Sequence, residues 1–230
     1  MSHRLSIVVP VLNEAGEVVQ RLRGLAGLRY RGSELIVVDG GSADGTWELA
    51  RPLTDQLIRA PRGRAVQMNA GAMRSRREIL LFLHIDTALP PDADRLIYSA
   101  IDSGAAWGRF DVRIEGNHPM LWVIARMMNL RSRLTGIATG DQAVFVRREL
   151  FEQLGGYPEI PLMEDIALSK RLRRLARPAC LRERVLTSGR RWESGGVFRT
   201  IWLMWRLRAA YALGADPSLL AVRYGYRPDP

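Results

Sequence analysis

Acidic or amide side chains stand directly after three apolar segments of the sequence, at the points where strands would end. The segments are residues 5–11, 35–38 and 79–83, and the side chains that follow them are Asn13 with Glu14, Asp39, and Asp86. Carboxylates bind divalent cations and accept hydrogen bonds from O–H and N–H groups. A lone carboxylate after a strand does not by itself indicate a functional site. Whether a site exists depends on how the surrounding helices and strands place these three polar clusters.

The first half of the chain alternates strand-like and helix-like segments. Val18, Leu22 and Leu25 recur at helical spacing after the first apolar run, and residues 46–53 predict a second helix after the next run. This β-α-β-α-β order predicts a mostly parallel sheet with helices on both faces. Ligands of such sheets bind beyond the carboxyl ends of the strands, where all three polar clusters fall.

The second half alternates less regularly. It predicts strands over residues 106–113 and 143–146 and helices over residues 119–133, 163–176 and 197–213. The first and last of these helices mix tryptophan, methionine and leucine with arginine. Two interpretations stay open: the helices lie in a membrane interface, or they pack on the domain with arginine stems covering apolar surface.

Length and composition indicate one globular domain over residues 1–230. The chain is 47% hydrophobic and 25% charged, which is ordinary for a folded protein. No stretch predicts a signal peptide or a spanning helix, so the cytoplasm is the expected location. Cys180 is the single cysteine, which excludes an internal disulfide and disfavours a cysteine-based zinc site.

The formal net charge is +10, and Lys170 is the single lysine, so arginine supplies 33 of the 34 basic residues. The surplus favours anionic partners: nucleotide phosphates, an acidic membrane surface or nucleic acid. A nucleic-acid-binding module predicts a basic stripe interleaved with aromatics. The arginines are instead scattered through both halves, which counts against nucleic acid.

The glycine-rich segment at residues 40–45, GGSADG, is a possible phosphate loop. It lacks the GK[ST] ending of a P-loop and does not match GxGxxG. A P-loop kinase and a dinucleotide-dependent dehydrogenase are therefore disfavoured. By itself the segment predicts a strand-to-helix turn.

Four motifs stand in one order along the chain: VVPVLNE at 8–14, VVDGGSADGT at 37–46, FLHIDT at 82–87 and LMEDIALSKRL at 162–172. The ordered set, with GRAVQMNAGA at 63–72, resembles the family-two glycosyltransferases, which use nucleotide-sugars and have the GT-A fold. The resemblance covers roughly residues 4–175. It implies a nucleotide-sugar-binding half at 1–105, an acceptor-side half at 106–195 and a helical tail at 196–230 that ends in an amphipathic helix.

The resemblance also implies roles on the donor side. Pro10, Asn13 and Glu14 would lie beside the nucleoside, and Asp39 would accept a hydrogen bond from an N–H of the base. Arg64 would lie near the base or the phosphates. For Asn13 and Glu14 the alternative is structural, an N-cap followed by a carboxylate in the first helical turn.

The motif FLHIDT departs from the family pattern. The family has aspartate, any residue, aspartate, whereas His84 stands here in place of the first acid. The resemblance implies that Asp86 coordinates Mg²⁺ or Mn²⁺, which accept one protein carboxylate together with diphosphate oxygens and water. For His84 three interpretations stay open: contact with the ribose, coordination of Mn²⁺, or packing at the end of the strand.

On the acceptor side the resemblance makes Asp165 the general base of an inverting displacement, with Glu164 orienting the acceptor. The pair alone would equally predict a helix N-terminus that favours carboxylates. Two further segments resemble acceptor-side or diphosphate-side motifs, and their candidate residues are Asp141, Gln142, Arg191 and Trp192. For the Arg190–Trp192 segment a solvated basic loop is the alternative.

The sequence therefore predicts a metal-dependent, inverting glycosyltransferase that uses a nucleotide-diphospho-sugar, with UDP as the expected nucleotide. The acceptor group is a hydroxyl or carboxyl, and a lipid-like acceptor with peripheral membrane contact is one alternative. A narrower bacterial subgroup that the motifs resemble carries conflicting labels, for arsenosugar synthesis or for diaponeurosporenoate glycosylation. A sugar-phosphate nucleotidyltransferase is the rival enzyme, but it should open with a glycine- and arginine-rich loop where this chain reads VLNE.

Overall fold

One eight-stranded sheet forms the centre of the computed structural model, which describes residues 4–225 apart from the side chains of Arg191 and Ser194. Its strands are β1 (Leu5–Val11), β2 (Glu34–Asp39), β3 (Gln56–Arg59), β4 (Ile79–Phe82), β5 (Thr87–Ala88), β6 (Trp107–Glu115), β7 (Val144–Arg147) and β8 (Ala179–Ser188). Their order across the sheet is β3-β2-β1-β4-β7-β6-β8-β5.

Helices cover both faces of this sheet. They are α1 (Val18–Arg23), α2 (Ala26–Tyr30), α3 (Thr46–Ala50), α4 (Arg64–Arg74), α5 (Ala93–Asp102), α6 (Met120–Thr135), α7 (Arg148–Gln153), α8 (Glu164–Leu175), α9 (Arg190–Gly195), α10 (Val197–Ala212) and α11 (Pro217–Tyr224). One hydrophobic cluster joins a face of the sheet to α1, α5 and α6, and a second joins the other face to α4, α7 and α8. The predicted α/β fold class is confirmed.

The first-half strands β3, β2, β1 and β4 pair in parallel. All seven residues of β1 are buried, with Ile7 and Val9 packing on one face of the sheet and Val8 on the other. A parallel strand covered on both faces has a continuous apolar sequence, which is the signal that predicted these strands. Their carboxyl ends meet at one edge of the sheet, so the polar residues that follow them are neighbours.

The second half adds a mixed region to the sheet. β7 is antiparallel to β4 and β6, β8 is parallel to β6 with a register shift between Phe110 and Asp111, and β5 is antiparallel to β8. The predicted strands and helices are present with ends shifted by one or two residues. The helix predicted over 46–53 is shorter, because α3 gives way to a 3-10 turn at Arg51–Leu53 that contains Pro52.

Nine elements were not predicted from the sequence: α2, β3, α4, β5, α5, α7, β8, α9 and α11. β8 contains three consecutive charged residues, Arg182 to Arg184, and its partner β6 supplies the parallel ladder that holds it. The helix α4 buries small residues such as Ala65 and Ala72. Such weakly apolar segments become strands or helices through their neighbours, not through their own periodicity.

The helices α10 and α11 pack on the start of α8, where Leu207 and Leu220 join Leu162, Met163 and Ile166 in a third hydrophobic cluster. The outer faces of α6 and α10 remain exposed. They carry three tryptophans that are 64–67% exposed: Trp122, Trp202 and Trp205. Among residues 4–225, no helix has the length and apolar character needed to cross a bilayer.

Candidate active site

A cleft of about 320 Å³ opens beyond the carboxyl ends of β1 and β4. Five residues predicted for the site line it: Pro10, Glu14, Arg64, His84 and Asp86. Pro161 and Leu162, just before α8, and Tyr224 at the end of α11 also line it. The cleft therefore lies between the parallel half of the sheet and the elements of the acceptor-side half.

Asn13 ties the loop after β1 to the glycine-rich loop after β2. Its backbone has a positive φ of 54°, its N–H donates to Ser42 Oγ at 2.9 Å, and its Oδ1 accepts from the N–H of Ala43 at 3.0 Å. The N-cap of α1 is Glu17. The N-cap interpretation of Asn13 is therefore wrong, because its side chain holds two loops together instead.

The glycine-rich loop uses its own polar groups to fold. Asp44 accepts from the N–H of Ala15 at 2.9 Å and from Thr46 Oγ1 at 2.5 Å, and these hydrogen bonds lower its pKa, that from Thr46 most strongly. Gly45 has a φ of 90° at the start of α3, a left-handed conformation that favours glycine. The loop is thus a strand-to-helix turn, as its sequence predicted.

Asp39, at the end of β2, is fully buried. Its carboxylate accepts hydrogen bonds from the N–H groups of Gly41 and Ser42, at 3.1–3.2 Å, and from the Ser42 hydroxyl. In this conformation Asp39 orients the loop and does not face the cleft.

Gln67 on α4 is a buried cleft residue that the sequence did not reveal. Its Nε2 donates to the carbonyl of Val11 at 2.9 Å and to that of Val38 at 2.8 Å, so one side chain joins the carboxyl ends of β1 and β2. The sequence does contain the segment GRAVQMNAGA, which resembles the family. Nothing in the spacing of its residues marks Gln67 as a buried residue of the site. Gln67 fixes the N-terminus of α4, and with it Arg64, against the strand ends.

Glu14 and Asp86 face the same cleft from β1 and β4. Burial raises the pKa of Glu14, the charge of Arg190 opposes that rise, and the charge of Asp86 adds to it. Burial alone would lower the pKa of Arg64. The carboxylates of Glu164, Asp141 and Asp86 raise it, and the net result is a pKa above the ordinary value. The cleft therefore combines acids with a cation at the start of a helix.

Asp86 is half-buried, and its Oδ1 accepts from Thr87 Oγ1 at 3.3 Å. Within residues 4–225, no group of three or more histidine, cysteine, aspartate or glutamate side chains could hold a metal ion by itself. One carboxylate suits Mg²⁺ or Mn²⁺ when a diphosphate and water supply the other oxygens. The residues thus fit a cation that binds together with substrate phosphates.

His84 connects the strand β4 to the turn Gly140–Gln142. Its ring packs against Gly140 so closely that a Cβ there would lie 2.2 Å from Cε1 of the histidine. His84 Nδ1 lies 3.7 Å from Asp141 Oδ1. Burial would raise the pKa of Asp141, but the contact with His84 and the charge of Arg64 outweigh it and hold that pKa below the ordinary value.

The acidic pair opens α8 after Met163, whose φ is 71°. Asp165 Oδ2 accepts from the N–H of Gly140 at 2.9 Å, and its Oδ1 accepts from that of Ile166 at 2.6 Å. Glu164 is buried, and burial with the charge of Asp165 raises its pKa to about 7. Asp165 is therefore held beside the glycine that packs under His84, and Glu164 carries a proton below neutral pH.

Two predicted acceptor-side residues, Gln142 and Trp192, do not line the cleft. Gln142 is fully buried and accepts from the N–H of Thr139 at 3.2 Å, so it supports the turn. Trp192 packs against the core on α9, so the solvated-loop interpretation of this segment is wrong. The side chain of Arg191 lies outside the described residues.

The sheet and its flanking helices have the fold of several solved structures. Similar solved structures include S. aureus TarS 1–349, with a TM-score of 0.64 and 16% identity over 81% of this chain and 61% of that one. The mannosyltransferase PcManGT from Pyrobaculum calidifontis, in complex with GDP-Man and Mn²⁺, has a TM-score of 0.63. It is 22% identical, and the match covers 98% of this chain and 66% of that one. The glucosyl-3-phosphoglycerate synthase of Mycobacterium tuberculosis, with Mn²⁺, UDP and glucosyl-3-phosphoglycerate, has a TM-score of 0.59. It is 19% identical, and the match covers 80% of this chain and 70% of that one.

Residues 6–155 match the family model of Glycosyl transferase family 2, and the chain belongs to that family. The probable glycosyltransferase YdaM of Bacillus subtilis (strain 168) is 24% identical over 242 residues, which cover 92% of this chain and 55% of that protein. The chain thus spans about half the length of this curated relative. The family match confirms the predicted enzyme class, and it favours a glycosyltransferase over both a nucleotidyltransferase and a nucleic-acid-binding module.

Proposed function

We propose that the protein transfers a sugar from a nucleotide-diphospho-sugar, with UDP as the expected nucleotide, to an acceptor hydroxyl or carboxyl group, in a metal-dependent and inverting reaction. One observation carries the proposal: a single cleft holds Arg64 and Asp86, and Asp165 is fixed beside it through Gly140. Charge compensation for a diphosphate and a base for the acceptor are the two things this transfer requires.

The nucleoside would lie along Pro10 and Glu14, which line the cleft, with Asn13 holding the loop behind them. A hydrogen bond from the base to Asp39 requires the loop to open, because Asp39 is fully buried under it. We therefore expect Asp39 to act first by shaping the loop and to meet the base only after the loop moves.

The diphosphate would lie between Arg64 and Asp86. Arg64 is the first residue of the eleven-residue helix α4, and the N-terminus of a helix attracts anions through its free N–H groups and its dipole. Mg²⁺ or Mn²⁺ on Asp86 would neutralise charge on the leaving diphosphate. His84 would fix the acceptor-side turn against this region through Gly140.

Asp165 would accept the proton of the acceptor hydroxyl as that oxygen attacks the anomeric carbon. Its two hydrogen bonds from backbone N–H groups orient the carboxylate without using a side chain that must move. The neighbouring Glu164 holds a proton up to a pH of about 7, which removes a negative charge beside Asp165 and provides a donor for the acceptor.

We also propose peripheral contact with an anionic membrane through α6 and α10. Phe198, Trp202 and Trp205 follow one face of α10, and all are exposed by more than 60%. On α6 the guanidinium of Arg126 lies 5.6 Å from the ring centroid of Trp122. Exposed aromatics beside arginines suit an anionic lipid interface, and Ile201 packs α10 against the core.

A screen of UDP-, GDP- and dTDP-sugars by thermal unfolding, with and without Mn²⁺ or Mg²⁺, tests the donor assignment. We expect at least one UDP-sugar to raise the melting temperature, and part of that rise to require the metal. Asp86→Asn should lose the metal-dependent part, whereas Asp92→Asn, an exposed acid with no side-chain cap bond, should retain it. A chain stabilised by none of these donors would contradict the proposal.

A further inference from the structure

A second cleft, of about 760 Å³, lies between α9, the first half of α10 and the end of α11, and we call it the α10 cleft. Its volume is in the range of clefts that hold a small organic molecule. The side chains that line it include Arg190, Arg199, Thr200, Leu203, Met204 and Tyr224.

The α10 cleft adjoins the cleft proposed for the nucleotide-sugar beyond β1 and β4, the donor cleft. Tyr224 lines both of them. Nε of Arg190 donates to Ser188 Oγ at 3.2 Å, and the N–H of Ser188 donates to the carbonyl of Asp86 at 3.1 Å. Arg190 also forms an ion pair with Glu17, in the segment after β1. The contacts of Arg190 therefore hold the α10 cleft beside the strand ends that frame the donor cleft.

The cationic lining of the α10 cleft comes from α9 and the first turn of α10. Arg190 and Arg199 supply two exposed guanidinium groups. Within residues 4–225, no carboxylate lies within ion-pair distance of Arg199. Gly195 also lines the cleft, one residue before the N-cap of the sixteen-residue α10, which has no side-chain cap. Guanidinium groups and the N–H groups of an uncapped helix attract phosphate and carboxylate.

The apolar lining comes from the next turn of α10. Leu203 and Met204 are half-buried and lie about 6 Å along the helix from Arg199 and Thr200. Leu203 also packs against the hydrophobic cluster at the start of α8, which holds it in place. The cleft therefore presents cations and an apolar wall to the same ligand.

We propose that the α10 cleft binds the acceptor, and that this acceptor is an amphipathic anion, an apolar chain that carries a phosphate or carboxylate group. The anionic group would pair with Arg190 and Arg199, and the chain would lie on Leu203 and Met204. Because Tyr224 lines both clefts, an acceptor held here reaches the donor cleft past this side chain. This inference rests on the proposed glycosyl transfer and names the chemical class of its acceptor.

Four soluble probes test the inference: octyl phosphate, octanoate, octanol and inorganic phosphate. Each is titrated by calorimetry, below the concentration at which it aggregates, into protein saturated with UDP and Mg²⁺, so that the donor cleft is filled. We expect octyl phosphate or octanoate to bind at least about ten-fold more tightly than octanol and than inorganic phosphate. The stronger of the two amphipathic anions identifies the group that the arginines recognise.

Two variants locate the binding site. Arg199→Gln should weaken binding of the stronger anion by about ten-fold, whereas Arg206→Gln, at an exposed position of α10 that does not line the cleft, should not weaken it. Met204→Gln should also weaken it, and the matched control is Met73→Gln, which changes a methionine exposed by 85% on α4. Melting temperatures without ligand check that all four variants fold.

The inference is overturned if octanol or inorganic phosphate binds as tightly as the amphipathic anions, or if Arg199→Gln or Met204→Gln responds like its control. Failure of the proposed function would look different, because UDP with Mg²⁺ would then leave the melting temperature of the parent unchanged. In that case the same titrations without UDP, on the same four variants, still decide whether the α10 cleft binds an amphipathic anion.

Discussion

The donor side and the acceptor side of the cleft are built in opposite ways. On the donor side Asn13, Asp44 and Gln67 use their polar groups to join neighbouring loops and strand ends. On the acceptor side Glu164 is buried with a raised pKa, and Arg131 has shielded donors without acceptors. The first arrangement favours a preformed pocket, whereas the second keeps unsatisfied groups that a ligand would complete.

This difference teaches where substrate identity is encoded. A preformed donor pocket suits a nucleotide whose shape is fixed, and its parts lie within the segment that matches the family. The proposed acceptor side also uses α8, α10 and α11, which lie beyond residue 155. Met163, just before α8, has a φ of 71°, a conformation that few residues other than glycine adopt.

The largest effect should come from the proposed base. Asp165→Asn removes the proton acceptor and should slow release of UDP from the donor by about 10²–10⁴-fold. Binding of the UDP-sugar, measured by thermal shift, should stay near the parent value because Asp165 does not line the donor cleft. Asp141→Asn is the matched control and should slow the reaction much less; equal losses in the two variants would contradict the role of Asp165.

Glu164→Gln should change how stability depends on pH. In the parent, the folded protein keeps a proton on Glu164 up to a pH of about 7, whereas an unfolded chain releases it near the ordinary glutamate pKa of 4.5. The free energy of unfolding should therefore fall as pH rises through this window, by about 3 kcal/mol at most.

The glutamine variant should lack that part of the pH dependence and be the more stable protein at pH 8. Urea unfolding between pH 4 and pH 8 measures it. Glu149→Gln, an exposed acid in the first turn of α7, should leave the pH dependence as it is. Parallel curves for the parent and Glu164→Gln would show that the carboxyl does not carry this proton.

Gly71→Ala tests how tightly the donor side is packed. A Cβ at Gly71 would lie 2.4 Å from Val8 Cγ1 on β1 and 3.0 Å from Val38 Cγ2 on β2, so α4 must move away from the strands. We expect a loss of about 1–3 kcal/mol in urea unfolding and weaker nucleotide binding. Gly16→Ala, where a Cβ meets nothing within 4 Å, should change stability little; similar losses in both would mean that α4 adapts.

The smallest effect should come from the outer face of the acceptor side. Trp202→Ser/Trp205→Ser should weaken flotation with anionic vesicles at low salt by about ten-fold, which is ~1.4 kcal/mol. Tyr30→Ser, which removes an aromatic ring exposed by 93% on α2, should not weaken it. If the parent does not float, the membrane proposal fails, and self-association in sedimentation would then indicate that these faces meet a second copy of the chain.

Much of the donor side could be predicted from the sequence. The buried strands β1, β2 and β4 have continuous apolar sequences, and the polar residues after them mark the edge of the sheet. Glu14 and Asp86 were found in this way. Asn13 was found for the same reason, although its role as a link between loops depends on a positive φ that its sequence neighbours do not reveal.

The remaining features could not be predicted because they depend on contacts between distant segments. Gln67 matters because it reaches the ends of two strands at once, and Gly140 matters because the His84 ring packs on it. Asp111 matters because it accepts from both Arg109 and Arg133. None of these contacts produces a periodic pattern or a local motif in the sequence.

The sequence by itself determined the layered α/β fold, the edge of the sheet where the acids meet, and the family, since apolar runs and ordered motifs are local properties. Only the tertiary structure decided which polar groups are satisfied and which are not. That outcome depends on distances between residues up to about a hundred positions apart, as between Thr87 and Thr187. The two bonds of Gln67 to strand ends and the burial of Glu164 both follow from such contacts.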